Sequence, residues 1–341
     1  MMAALAAGAT IAVVFEDHSR GKAASALLCE NYAGLPVGGF GNLGGDRMAG
    51  MIRIVGGRFT MGSDEHYAEE ALTHEVVLDS FFIDRTDVTN AQFARFVAAT
   101  GYVTVAERGP DLRRHPDLPE AMRMPGAVAF EFPDGGHAGR WRYMAGANWR
   151  HPQGPGSSID GRANHPVVQV AYEDALAYAR WLGRDLPTEA QWEYAARGGL
   201  DGKPYVWGER FSPDGKPMAN TWQGAFPIVN TGDDGYVGTS PVGCFPANGY
   251  GLYDMAGNVW QWTSTWYRPG HRGRAEANPA GPNELESYDP RQPGLPAKVI
   301  KGGSHLCAPN YCMRYRPAAR QAREVDSGTS HIGFRTVLAA Q

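Results

Sequence analysis

From Leu200 to Gln341 the chain carries almost no helical hydrophobic period. Short apolar runs alternate there with loops rich in Trp, Asn, Gly and Asp. Apolar residues that do not recur at about 3.6-residue spacing cannot form the buried stripe of a helix. This part of the chain is therefore expected to fold as short strands and ordered loops held together by aromatic side chains. The 44 glycines, 24 prolines, 9 tryptophans and 15 tyrosines argue the same way. They speak against a helical bundle or a regular doubly wound sheet.

Helical signals are confined to the first 200 residues. Thr89 is a candidate N-cap with Gln92 as its capping-box partner, and Phe93, Phe96 and Val97 share one face before Gly101. A second helix is expected over about Tyr172 to Leu182, with Leu176, Ala179 and Leu182 facing inward. A third starts at Thr188 with Gln191, buries Trp192 and Ala195, and stops at Gly198-Gly199. Ile52 to Ser63 reads as two short strands broken by glycine, and Val76 to Asp84 as one further strand. No internal repeat or low-complexity linker divides the chain. The expected class is α+β and loop-rich, with residues 51–341 as a single domain.

Residues 1–50 show no sustained period and are expected to be a poorly ordered extension. Met1 to Phe15 is apolar, but no Lys or Arg precedes it and Glu16-Asp17 follow directly. That is a poor secretion signal, and Met48 or Met51 would serve as an alternative start. The net charge of −4 carries no nucleic-acid footprint, and no apolar run has the length of a membrane span. Four cysteines, Cys29, Cys244, Cys307 and Cys312, are too few for a disulfide scaffold. The expectation is a reducing, cytoplasmic setting.

Two of those cysteines lie in Lys301-Gly-Gly-Ser-His-Leu-Cys307-Ala-Pro-Asn-Tyr-Cys312-Met-Arg-Tyr-Arg316. A thiolate pair set close on an irregular loop suits a soft, low-coordinate metal such as Cu(I), or redox chemistry. Zinc would want four ligands, which no nearby thiol or histidine pair supplies. The C-x-x-C spacing of a dithiol oxidoreductase is missing. The plain alternative is two buried thiols used as small apolar groups.

The segments Gly302-Gly303-Ser304, Cys307, Tyr311-Cys312, Arg314-Tyr315-Arg316 and Ala318-Ala319-Arg320 strongly resemble the active-site segment of formylglycine-generating enzymes, the sulfatase-modifying factors. Leu186 to Gly199, Asn220 to Phe226, Pro246 to Tyr253 and Gly257 to Trp260 extend the resemblance, which runs from Met51 to about Leu338. It implies a C-type-lectin-like fold. It also implies an oxidase that converts the cysteine of a Cys-x-Pro-x-Arg motif in an unfolded sulfatase polypeptide to formylglycine. Cys307 and Cys312 would hold Cu(I), with O2 and a thiol reductant as co-reactants and a thioaldehyde hydrolysed at the end. The protein is expected to act as a monomer, without nucleic-acid or membrane partners. Ergothioneine-type synthases share the superfamily motifs but need clustered histidines, and no HxxxH pair occurs here.

By the same resemblance Ser304, Tyr311 and Trp260 line the oxygen and substrate-thiol pocket, and His331 stands where an Asn is usual. Arg314, Arg316 and Arg320 are read as loop anchors held by buried pairs rather than as substrate ligands. Calcium is expected at Asn220, Thr221, Asp234 and Tyr236, and at a second set, Asp254, Gly257, Val259 and Gln261. In that second set Asp254 replaces Asn and Gln261 replaces Glu. The alternative function is a non-catalytic lectin-like binding protein of the same fold.

Overall fold

The computed structural model describes residues 28–29, 32–35, 46–113 and 115–340. Near the start of the domain, β1 (Met51–Ile54) lies antiparallel to β4 (Phe81–Asp84), and β12 (Val337–Ala339) pairs with the other side of β4. The last strand thus joins the sheet of the first. Ile54, Phe81 and Ile83 turn into the core. A second sheet joins β2 (Gly57–Met61), β3 (His74–Leu78) and the short β8 (Glu276–Ala277).

The single strand expected over Val76 to Asp84 is in fact two, β3 and β4, in different sheets. The break falls at Asp79-Ser80, where other segments capture the polar groups. The Asp79 amide donates to Asn278 Oδ1 at 2.9 Å, and Ser80 Oγ accepts from the Gly56 amide at 3.0 Å. Satisfying those groups outside a ladder lets the chain change direction.

Four helices follow. In α1 (Asn90–Thr100) Thr89 and Gln92 form the expected capping box, Phe93, Phe96 and Val97 are buried, and Gly101 ends the helix. The short α2 (Val105–Arg108) is capped by Thr104 and Glu107. In α3 (Tyr172–Trp181) the buried stripe is Asp174, Ala175, Tyr178 and Ala179, while Leu176 is only partly covered. α4 (Glu189–Arg197) begins at the Thr188/Gln191 box and buries Trp192 and Ala195. Between α2 and α3 an antiparallel hairpin pairs β5 (Gly126–Glu131) with β6 (Arg140–Ala145).

The sheet that carries the site has the order β10-β9-β7-β11. Here β7 (Trp260–Trp266) lies antiparallel to β9 (Ala297–Lys301) and parallel to β11 (Ile332–Gly333), and β10 (Arg320–Glu324) forms the other side of β9. The cysteine segment is the connection from β9 to β10. Trp192 and Trp262 are fully buried beneath the sheet. Trp262 Nε1 donates to Val170 O at 3.0 Å and Trp192 Nε1 to Gln261 Oε1 at 2.6 Å, so each indole keeps a partner in the apolar core.

Cys29 and Cys244, two of the four cysteines read as too few for a disulfide scaffold, are joined as a disulfide. The described residues around Cys29 dock on the domain. Leu28 is buried against Gly243, where a Cβ would fall 2.5 Å from Leu28 Cδ2. Gln92 Nε2 donates to Gly34 O at 2.8 Å, and Thr89 Oγ1 donates to Ala33 O. A pairing across 215 residues leaves no local spacing by which to find it.

Candidate active site

The β9–β10 connection is shaped by short-range turns. At Gly303 φ is 68°, and a Cβ there would meet the Arg314 backbone at 2.9 Å. Only glycine tolerates that combination. The Cys307 amide then donates to Ser304 O at 2.9 Å, and the Cys312 amide to Ala308 O at 2.9 Å. These turns bring both thiols to one point, with the sulfurs 2.9 Å apart. A disulfide would need about 2.05 Å, so this is a hydrogen-bonded free pair, and both residues are buried.

The pair is electrostatically asymmetric. The Cys307 hydrogen bond, aided by Arg314 and opposed by burial, draws the Cys312 thiol below its usual range. Burial, with the charge on Cys312, pushes Cys307 well above it. Of the two sulfurs, Cys312 is thus the one that ionises first and Cys307 the one that keeps its proton. Arg314 is fixed by Glu69 at 2.6 Å and lies over the Tyr67 ring at 3.9 Å.

The arginines behind the loop are anchors, as expected. Arg316 makes a two-pronged pair with Glu70, Nη1 to Oε2 at 2.7 Å and Nη2 to Oε1 at 2.5 Å. Arg320 pairs with Glu189 at 2.7 and 2.8 Å. Lys301, just before the loop, reaches Glu193 at 3.0 Å. All these partners are buried, which holds the loop against α4 and the 68–70 turn.

A cleft of about 450 Å³ opens at the thiols, and Trp260, Ser304, Cys307, Tyr311, Cys312 and His331 all line it. Trp260 and Ser304 are buried; Ser304 Oγ accepts from the Leu306 amide at 3.2 Å. Tyr311 is 61% exposed and stacks on Phe226 at 4.2 Å, so it stands on the rim. His331 sits against the Trp141 ring at 4.6 Å, with Thr329 Oγ1 2.8 Å from Nδ1. Burial, then the neighbouring His305 and Arg323, hold its pKa well below the ordinary histidine value, so the imidazole is neutral.

Trp141, Phe226, Arg291, Gln321, Arg323 and Thr329 also line the cleft, and none was singled out from sequence. Trp141 arrives on the β5–β6 hairpin. That hairpin is tied to the 329–331 segment by the Ser330 amide to Val128 O at 3.2 Å and by the Phe130 amide to Ser330 Oγ at 3.0 Å. No period or spacing in the sequence says what this hairpin packs on.

The two calcium sets differ in fit. In the first, Asn220 Oδ1 is buried without a hydrogen-bond partner. Asp234 lies close by, accepting from the Thr221 amide at 2.9 Å and the Tyr236 amide at 3.0 Å. Burial raises the Asp234 pKa. An orphaned amide oxygen beside a desolvated carboxylate suits a hard cation. In the second set two of the oxygens are already engaged by a fixed cation. Arg335 donates to Gln261 Oε1 at 2.7 Å and to Asp254 O at 3.3 Å, and Gln261 Nε2 also donates to Asp254 O at 2.8 Å. A guanidinium thus already supplies positive charge at Asp254 and Gln261, so the second set, which also takes Gly257 and Val259, fits calcium less well than the first. Among the described residues no three His, Cys, Asp or Glu side chains converge as a metal cluster.

Comparison with known proteins gives a consistent result. The family described as Sulfatase-modifying factor enzyme 1-like domain matches residues 41–340. A formylglycine-generating enzyme of Mycobacterium tuberculosis is 53% identical over 84% of this chain and 97% of its own length. A mouse protein named inactive C-alpha-formylglycine-generating enzyme 2 is 36% identical over 85% of this chain and 86% of its own. Among solved structures, PvdO from Pseudomonas aeruginosa aligns with a TM-score of 0.60 at 27% identity, over 85% of this chain and 94% of that one.

Proposed function

The chain belongs to the sulfatase-modifying factor family, and on that premise we propose that it oxidises a cysteine of unfolded sulfatase chains to formylglycine. The observation that carries the reading is the free Cys307/Cys312 pair, 2.9 Å apart and buried at the base of an open cleft. Two soft donors at one point suit Cu(I). Bound there, copper would supply a soft site for the substrate thiolate and one-electron chemistry with O2.

The chain's own groups define the rest. Cys312 is the readily ionised donor, and Arg314 compensates its charge. Cys307 gives up its proton only against a competing cation. Trp260 forms an apolar wall, Ser304 offers a hydroxyl, and neutral His331 offers a hydrogen bond without a charge. Tyr311 and Phe226 give an extended chain an aromatic rim to lie across. Electron balance sets the co-reactants. Converting the cysteine to an aldehyde releases two electrons, O2 takes four to become water, and the thiol reductant supplies the remaining two as it becomes a disulfide. The sulfur leaves as hydrosulfide. A calcium ion at Asn220, Thr221, Asp234 and Tyr236 would be structural.

The test is incubation of a Cys-x-Pro-x-Arg peptide with protein, Cu(I), thiol reductant and air, read by mass change and hydrazide capture. The aldehyde is expected, and the matching Ser peptide stays unchanged because its hydroxyl is a poor Cu(I) ligand. An unmodified Cys peptide alongside normal Cu(I) binding would replace this reading with that of a lectin-like binding protein.

A further inference from the structure

Three arginines and no carboxylate line the cleft among the described residues. Arg291 has its own counter-ion, Asp289, at 3.1 Å to each oxygen, and Arg314 has Glu69 at 2.6 Å. Arg323 differs. Its hydrogen-bond partner is the Ser327 hydroxyl, 3.2 Å from Nη2, and its Nε is buried with no acceptor. The acids that face it are its neighbours. Glu324 is adjacent on β10, so its side chain leaves the opposite face, and Asp326 is held by His115 at 2.5 Å. Burial lowers the Arg323 pKa, and those two acids only partly counter that shift.

A half-buried guanidinium with an orphaned N–H in a cleft wall is a costly arrangement left open. It becomes favourable when an anion completes the fork, since guanidinium and carboxylate match in two-point geometry. Gln321, two residues earlier, is on the same face of β10 and also lines the cleft. Its carboxamide adds neutral donors beside the charge.

We propose that Arg323, with Gln321 beside it, forms an anion subsite in the catalytic cleft that takes a carboxylate. The inference rests on the formylglycine reading and adds a specificity element to it. Two sources share the chemistry: an acidic side chain flanking the substrate cysteine, and the carboxylate of a glutathione-type reductant.

The experiment compares Cys-x-Pro-x-Arg peptides that carry one Asp, or the matching Asn, at successive flanking positions. For at least one position the wild-type protein should show an Asp/Asn ratio in kcat/KM of about three to ten, the worth of one partly exposed charge pair. Arg323→Gln should bring that ratio to about one, Arg323→Lys should keep part of it, and high salt should shrink it. The ratio cancels any general loss of activity in a variant. If the carboxylate is the reductant's, Arg323→Gln instead raises KM for glutathione but not for dithiothreitol, and the peptide ratio is one throughout. Binding of labelled peptides with Ser in place of Cys, read by anisotropy, reports the same Asp/Asn ratio without turnover. Failure of the oxidase reading is thereby separated from failure of the subsite. An acid preference that survives Arg323→Gln, or no preference in either peptide or reductant, overturns the proposal.

Discussion

The Trp260 amide donates to the His331 carbonyl at 2.9 Å. Two cleft residues 71 positions apart are thus placed by one backbone hydrogen bond where β11 runs parallel to β7. The register pairs Ile332 with Trp260, which sets His331 one residue outside the ladder, free to turn toward Trp141. A slip of one residue would send it to the other face.

Because His331 is neutral and hydrogen-bonded through Thr329, its contribution should not titrate near neutrality. Between about pH 6 and 8 the rate should show no step assignable to an ordinary histidine. His331→Asn should retain most of the activity with an unchanged pH profile. A step near the usual histidine value that vanishes in His331→Asn would contradict this.

Cys312 should be the more reactive thiol. With its pKa drawn down by Cys307 and Arg314, it is thiolate at pH values where a free cysteine is protonated. Alkylation of metal-free protein followed by peptide mapping should therefore label Cys312 before Cys307, with a rate that falls only as pH drops below the ordinary thiol range. Cys307→Ala removes the donor that stabilises this thiolate and should move the alkylation profile to higher pH, whereas the hydroxyl of Cys307→Ser still donates to it. Either serine variant should abolish tight Cu(I) binding while leaving the circular dichroism unchanged.

Arg316 and Glu70 are fully buried and doubly bonded. Glu70→Ala strands the guanidinium in the core and should cost about 3–5 kcal/mol in denaturant unfolding. Cu(I) affinity should fall with it, since Arg316 also donates to Met313 O at 2.8 Å, one residue from Cys312. Wild-type stability in Glu70→Ala would show that the pair is dispensable.

Breaking the Cys29–Cys244 link should destabilise the fold. Cys29→Ser, or reduction of the wild type, should lower stability by about 2–4 kcal/mol, as for a cross-link closing a long loop. Removing residues 1–47 should cost at least as much, because the Gly34 and Ala33 carbonyls leave Gln92 and Thr89 with them. Peptide mapping without reductant should find Cys29 linked to Cys244. Equal melting temperatures for wild type and Cys29→Ser would count against a structural role.

Calcium should stabilise by binding the folded state alone. Burial raises the Asp234 pKa above its unfolded value. Ionising it thus costs stability as pH rises from the unfolded carboxyl value through the folded one. A bound calcium removes that cost, so the melting-temperature gain with calcium should grow over that pH range and level off above it. Asp234→Asn should blunt the gain. No change on chelation, with no calcium by elemental analysis, would remove the site.

What the sequence determined by itself was local. The capping boxes at Thr89/Gln92 and Thr188/Gln191 and the stops at Gly101 and Gly198 use contacts three or four residues apart, so spacing alone reveals them. The Cys307/Cys312 pair was legible for the same reason: the loop that joins the sulfurs is one contiguous segment. What only the tertiary structure decided was which distant segments meet. The split of 76–84 into two strands depends on Asn278 and Gly56. The approach of Trp141 to the thiols depends on a hairpin packed from far along the chain. Cys29 finds Cys244 across 215 residues, and Arg335 takes the oxygens of Asp254 and Gln261 from more than 70 residues away. Such contacts are set by burial and by the satisfaction of buried polar groups in three dimensions, and neither leaves a period or a fixed spacing in the sequence.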